Sequence, residues 1–122
     1  MSVVHAHEVG WDLHQLLEIW VERRAGHVLV TVSGELTVDV AGQLRDFLAP
    51  YTSQQGQRVL VDASRVTAVD GAGMAVLGAA RRRARAHRGD VRVLNPSGDL
   101  RRRLAASGFM DTTPDPEFGT LL

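Results

Sequence analysis

The 122-residue chain is 44% hydrophobic, contains no cysteine, and sets 14 cations against 14 acids for a formal net charge of zero. That is the sequence of one compact domain, without disulfides, thiolate metal sites or a cysteine nucleophile, and without a global field toward nucleic acid or anionic lipid. Every cation is arginine, so chemistries that require lysine (a Walker-type phosphate loop, a Schiff base, the lysine step of receiver-domain phosphorylation) are excluded too.

No apolar run of about 18 residues predicts a transmembrane helix, and the polar residues 1–10 do not read as a secretory signal. The expected location is the cytoplasm, with no membrane insertion. Residues 1–15 lack periodicity and read as an N-terminal tail. From Leu17 the apolar residues Leu17, Ile19 and Val21 alternate with Glu18, Trp20 and Glu22, the period of a half-buried strand. Ala25-Gly26-His27 supplies a turn, residues 28–32 form a second strand paired with the first as a hairpin, and Ser33-Gly34 ends it. Thr37 stands at an N-cap position before a helix whose apolar face is Val40, Leu44, Phe47, Leu48 and Tyr51. Pro50 and residues 52–56 end that helix.

Residues 59–61 are wholly apolar, as in a strand covered on both faces, closed by Asp62-Ala63-Ser64 and followed by a short extended piece at 66–69. Gly71-Ala72-Gly73 opens the next helix, with Met74, Leu77, Ala80 and Ala84 on its buried face and Arg81, Arg82, Arg83, Arg85 and Arg88 outside. Gly89-Asp90 is a turn and residues 91–94 a strand. Ser97 caps a last helix carrying Asp99 in its first turn, Leu100 and Leu104 inside, and Gly108 at C′. The remainder is irregular, with an edge strand near Phe118. The order β-β-α-β-α-β-α predicts a single α/β domain with a mostly parallel mixed sheet and helices packed on it.

In this order, Gly34-Glu35-Leu36, Val61-Asp62-Ala63-Ser64, the run from Val69 through Asp70-Gly71-Ala72-Gly73-Met74 to Leu77, and Ala106-Ser107-Gly108-Phe109 resemble the STAS domain of bacterial anti-sigma factor antagonists. The resemblance covers roughly residues 15–112, so the domain is expected at 16–112, with a C-terminal extension at 113–122. It implies a non-enzymatic regulator that binds an anti-sigma factor of kinase-like ATPase fold and so frees a sigma factor for transcription. It also implies a partner face at Glu35, Leu36 and Thr37 and at Asp70, Gly71, Ala72, Gly73 and Met74. In the family the partner kinase phosphorylates a hydroxyl in the loop before the second helix, and the phosphate breaks the complex. Here Ala72 stands at that acceptor position and Gly71 beside it, so neither offers a hydroxyl; Thr37 replaces a usual aspartate. The same resemblance admits two alternatives, the STAS subunit of a lipid ABC transporter gripping its ATPase, and a nucleotide or small-molecule sensing module.

Other chemistry is thin. Gly71-Ala72-Gly73 could present N–H groups to an anion but lacks the third glycine of a dinucleotide site, and a tight strand-to-helix turn is the favoured reading. Asp62 and Asp70 suit strand-closing and capping roles better than acid–base work. Ser33, Ser64 and Thr67 are the remaining hydroxyls near the expected face. His5-x-His7 could bind a metal loosely but finds no third ligand, so no metal and no cofactor are expected. The zero net charge is a cancellation: residues 71–103 carry nine arginines against two aspartates, and residues 104–122 carry three acids and no base. Five arginines within eight residues, with no acid between them, suit an acidic protein partner, with Arg81 and Arg85 in the contact. Nucleic acid is disfavoured because no aromatic residues interleave with the cations. Self-association through an exposed strand edge stays open.

Overall fold

The computed structural model describes residues 17–107 and the backbone of residues 2–8. Eight elements follow in order: β1 (Ser2–Glu8), β2 (Leu17–Arg24), β3 (His27–Leu36), α1 (Val38–Thr52), β4 (Arg58–Val69), α2 (Gly71–Ala86), β5 (Asp90–Leu94) and α3 (Gly98–Ser107). From β2 onward this is the predicted β-β-α-β-α-β-α order. The strands form one mixed sheet in the order β1-β2-β3-β4-β5. β3, β4 and β5 run parallel, while β1–β2 and β2–β3 are antiparallel. β1 lies inside the stretch read as a tail. It pairs residue for residue with β2, from Ser2 opposite Arg23 to Glu8 opposite Leu17, and so takes one edge of the sheet.

Strand alternation decides the faces. Leu17, Ile19 and Val21 of β2, Val28, Val30 and Val32 of β3, Val59 and Val61 of β4, and Val91 and Val93 of β5 all point into one core. The apolar stripes of the three helices close it: Val40, Leu44 and Leu48 from α1, Leu77, Ala80 and Ala84 from α2, Leu100 and Leu104 from α3. Leu60 and Leu94, with Leu29 against them, form a separate small cluster. Gly26, at φ +85, makes the tight β2–β3 turn between the paired Arg24 and His27.

Three predicted boundaries move. β4 does not stop at Asp62-Ala63-Ser64. Its register against β3 slips by one residue between Thr31 and Ser33 and again between Gly34 and Glu35, so two bulges carry the strand on to Val69. β3 correspondingly extends to Leu36. Pro50 lies inside α1 rather than ending it. There the proline ring supplies no N–H to the helix ladder, and the Thr52 hydroxyl donates to the Leu48 carbonyl. The side chains of His5 and His7, the C′ position Gly108 and the strand expected near Phe118 lie outside the described residues.

Candidate functional site: the α1–α2 junction and the α2 groove

β3 and β4 are parallel and end together, Leu36 opposite Val69, so the helices that follow them start side by side. One side chain fastens both starts. Asp70, the N-cap of α2, accepts from the Gly73 N–H through Oδ1 at 3.0 Å and from the Val38 N–H, the first residue of α1, through Oδ2 at 2.9 Å. Its own N–H donates to the Leu36 carbonyl at 3.1 Å. Two helix N-termini thus share one carboxylate, each supplying an otherwise orphaned donor and the positive end of its dipole. The Gly73 N–H is the largest cause holding the Asp70 carboxyl below its ordinary value. Partial burial opposes it, and the N–H groups of Val38 and Ala72 and the charge of Arg103 add to it.

Thr37 holds the N-cap position of α1, and its carbonyl accepts from Val40 and Ala41, but its side chain makes no capping bond. The capping expected of Thr37 is done by Asp70. Gly73 is fixed by sterics. A Cβ there would overlap the Leu36 carbonyl oxygen and stand 3.0 Å from the Leu36 Cβ. The first turn of α2 therefore lies directly against the end of β3.

These contacts sort the predicted face. Leu36 is 1% exposed and Gly73 is buried, so both build the junction from beneath and neither can touch a partner through a side chain. Glu35 and Gly71 are exposed, and Thr37, Ala72 and Met74 are half-buried at the surface. Sequence reasoning missed Val38, which is 69% exposed and is the only exposed large hydrophobic among the described residues. It lies two residues, about 200° of helix, away from Val40 on the buried stripe. An apolar residue off the stripe was the available signal.

The arginine face is also revised. Arg81 is half-buried: its side chain is 15% exposed, Nε lies 3.4 Å from Asp90 Oδ1, and it still lines the groove along α2. Arg85 Nε stands 3.2 Å from the same oxygen and Arg92 Nε 3.0 Å from Oδ2. The acid that offsets the helix comes from β5, not from α2 itself. Burial pushes the Asp90 carboxyl up. The hydrogen bonds from Arg85, the Val91 N–H and Arg92 outweigh it, so the group titrates below its ordinary value. Along the outside of α2 runs an open groove of about 390 Å³, passing Gly71, Met74, Ala75 and Gly78 to Arg81, Arg82 and Arg85, with Ser107 of α3 at its side.

Ser64 and Thr67 are exposed on β4 and lie at its two bulges, not at the start of α2. The Ser64 N–H donates to Asp62 Oδ1 at 3.0 Å, which gives Asp62 the local structural role expected of it. No group of three or more metal-ligating side chains occurs among the described residues. Nor is any helix there long and apolar enough to cross a membrane.

The family model described as Mlab, STAS domain, matches residues 19–114. No curated protein matches the chain by sequence. Among solved structures, an anti-sigma factor antagonist from Mycobacterium paratuberculosis is 20% identical, over 86% of this chain and 92% of that one, with a TM-score of 0.72. The anti-sigma factor antagonist SpoIIAA in its unphosphorylated form is 18% identical over 84% and 94%, TM-score 0.63. Part of the murine anion transporter Slc26a9 is also similar, at 19% identity over 71% of this chain and 14% of that one, TM-score 0.61. At these identities the likeness is one of fold.

Proposed function

Because the chain belongs to the STAS domain family of the Mlab type, we propose that it is a regulator of the anti-sigma factor antagonist kind. It binds an anti-sigma factor of kinase-like ATPase fold in the cytoplasm, performs no catalysis itself, and thereby controls sigma-factor-dependent transcription. The observation that carries this reading is the junction. Asp70 locks the starts of α1 and α2 together, so that Glu35, Thr37 and Val38 from one loop and Gly71, Ala72 and Met74 from the next make one preorganised ledge with an exposed apolar residue on it. The structural similarity to anti-sigma factor antagonists supports it through the fold.

In this reading Ala72 occupies the acceptor position. A phosphate there would bring nearly two negative charges into a packed contact, and alanine has no oxygen to receive it. The complex is therefore not released by phosphorylation at this loop. A lipid ABC transporter subunit is a second reading, favoured by the same Ala72, since a permanent subunit needs no release.

Capture on immobilised protein tests both. The reading expects a kinase-fold anti-sigma factor retained from lysate of the source organism, and retention of a membrane ATPase in its place would favour the transporter. With the captured kinase and labelled ATP, the natural chain is expected to stay unlabelled and Ala72→Ser to accept phosphate at residue 72. Label on the natural chain at Ser64 or Thr67 would sink the claim that phosphate does not control it.

A further inference from the structure

The groove along α2 exposes cationic side chains that the junction does not use. Arg81, Arg85 and Arg92 all reach the Asp90 carboxylate. Arg82 is exposed, lies back along the helix over Gly78, and pairs with no acid among the described residues. At the near end the Asp70 carboxylate is turned onto the N–H groups of Gly73 and Val38. The floor between is apolar, formed by Met74, Ala75 and Gly78.

We infer that this groove seats an acidic amphipathic helix of the partner protein, its apolar stripe on Met74 and Ala75 and its carboxylates on Arg82 and Arg85. The inference rests on the reading of the chain as a partner-binding regulator and adds the chemistry of the partner. The groove follows the axis of α2 from Gly71 to Arg85, about 21 Å at 1.5 Å per residue, the length of roughly four helical turns. Helix-in-groove recognition has this form, an apolar stripe flanked by charge. Arg85, already held by Asp90, accepts a further carboxylate at small ordering cost. Nucleic acid fits less well, because no aromatic side chain among the described residues lines the groove for a base to stack on.

Fluorescence anisotropy on the full chain tests it with a labelled synthetic amphipathic helix of about 16 residues, carrying a leucine–alanine stripe flanked by glutamates. The natural protein is expected to bind it at least ~10-fold more tightly than the same peptide with glutamine for glutamate. Arg82→Glu is expected to lose ~10-fold, and Arg24→Glu, at the β2–β3 turn, to lose nothing. Equal affinity for the two peptides, or unchanged binding by Arg82→Glu, overturns the inference. So does tighter binding of single-stranded DNA, or a dimer of the protein that Arg82→Glu dissolves. The captured anti-sigma factor separates the two levels. If it binds natural protein and Arg82→Glu alike, the groove assignment falls and the proposed function stands. If the peptide binds as stated and no anti-sigma factor does, the proposed function falls alone.

Discussion

Gly73→Ala is expected to destabilise the protein by about 3 kcal/mol, although alanine is the better helix former. Inside a helix, glycine costs about 0.5–1 kcal/mol relative to alanine, so a substitution judged by propensity would stabilise. Here the added methyl meets the Leu36 carbonyl oxygen and Cβ. Those are backbone and buried atoms at the end of a central strand, and they cannot swing aside as a flexible side chain could. Overpacking of this kind costs about 1–3 kcal/mol and sometimes more, and here it also forces α2 away from the Leu36 carbonyl and the Val38 N–H that Asp70 ties to it. Urea denaturation of both proteins decides between the two effects by sign alone. A Gly73→Ala protein as stable as the natural one would mean that α2 does not lie against β3 as described.

Asp90→Ala is expected to cost about 2 kcal/mol, between the small worth of an exposed ion pair and the roughly 3–5 kcal/mol for breaking a buried one. The partners explain the position on that scale. Arg81 and Arg92 are 15% and 16% exposed and lose the carboxylate they share, whereas Arg85 is open to water and recovers hydration. The pH dependence follows from the depressed carboxyl. The folded state holds this proton less readily than the unfolded chain, whose reference value is 3.8. The contribution is therefore complete above about pH 5 and lost as pH falls below about 4. The stability gap between natural protein and Asp90→Asn is expected to be constant from pH 7 to 5 and to narrow toward pH 3. A gap that is the same at pH 3 and pH 7 would show that the charge on Asp90 contributes nothing. Asp70 shifts in the same direction but is present in both proteins and cancels.

The elements that local pattern specifies were readable in advance. The alternation of Leu17, Ile19 and Val21 and the turn at Gly26 gave the hairpin, and the spacing of Val40, Leu44 and Leu48 gave α1. Gly71-Ala72-Gly73 marked the start of α2. What escaped depends on partners distant in sequence. β1 carries only a short apolar alternation, Val4 and Ala6, and its pairing with β2 completes the edge. Asp62-Ala63-Ser64 looks like a strand end because a polar triplet normally is one, and only the bulge against β3 lets β4 continue. Asp70 reaches Val38 across 32 positions, a contact that no capping pattern around Thr37 reports. The arginines of α2 have no acid interleaved on their own helix, while the acid that meets them begins the next strand. Leu36 shows the converse error. It belongs to the motif that marks the site, yet its side chain is core and only its carbonyl serves the junction.

The central claim is that the α1–α2 ledge holds an anti-sigma factor and that phosphate does not release it. Titration calorimetry of the captured anti-sigma factor tests this most directly, with the natural protein and with Val38→Glu, each before and after incubation with ATP. The account predicts tight binding by the natural protein that ATP treatment leaves unchanged, and at least ~10-fold weaker binding by Val38→Glu, which places a charge in the apolar part of the contact. Binding that ATP treatment abolishes in the natural protein, or a Val38→Glu protein that binds as well as the natural one, would contradict it.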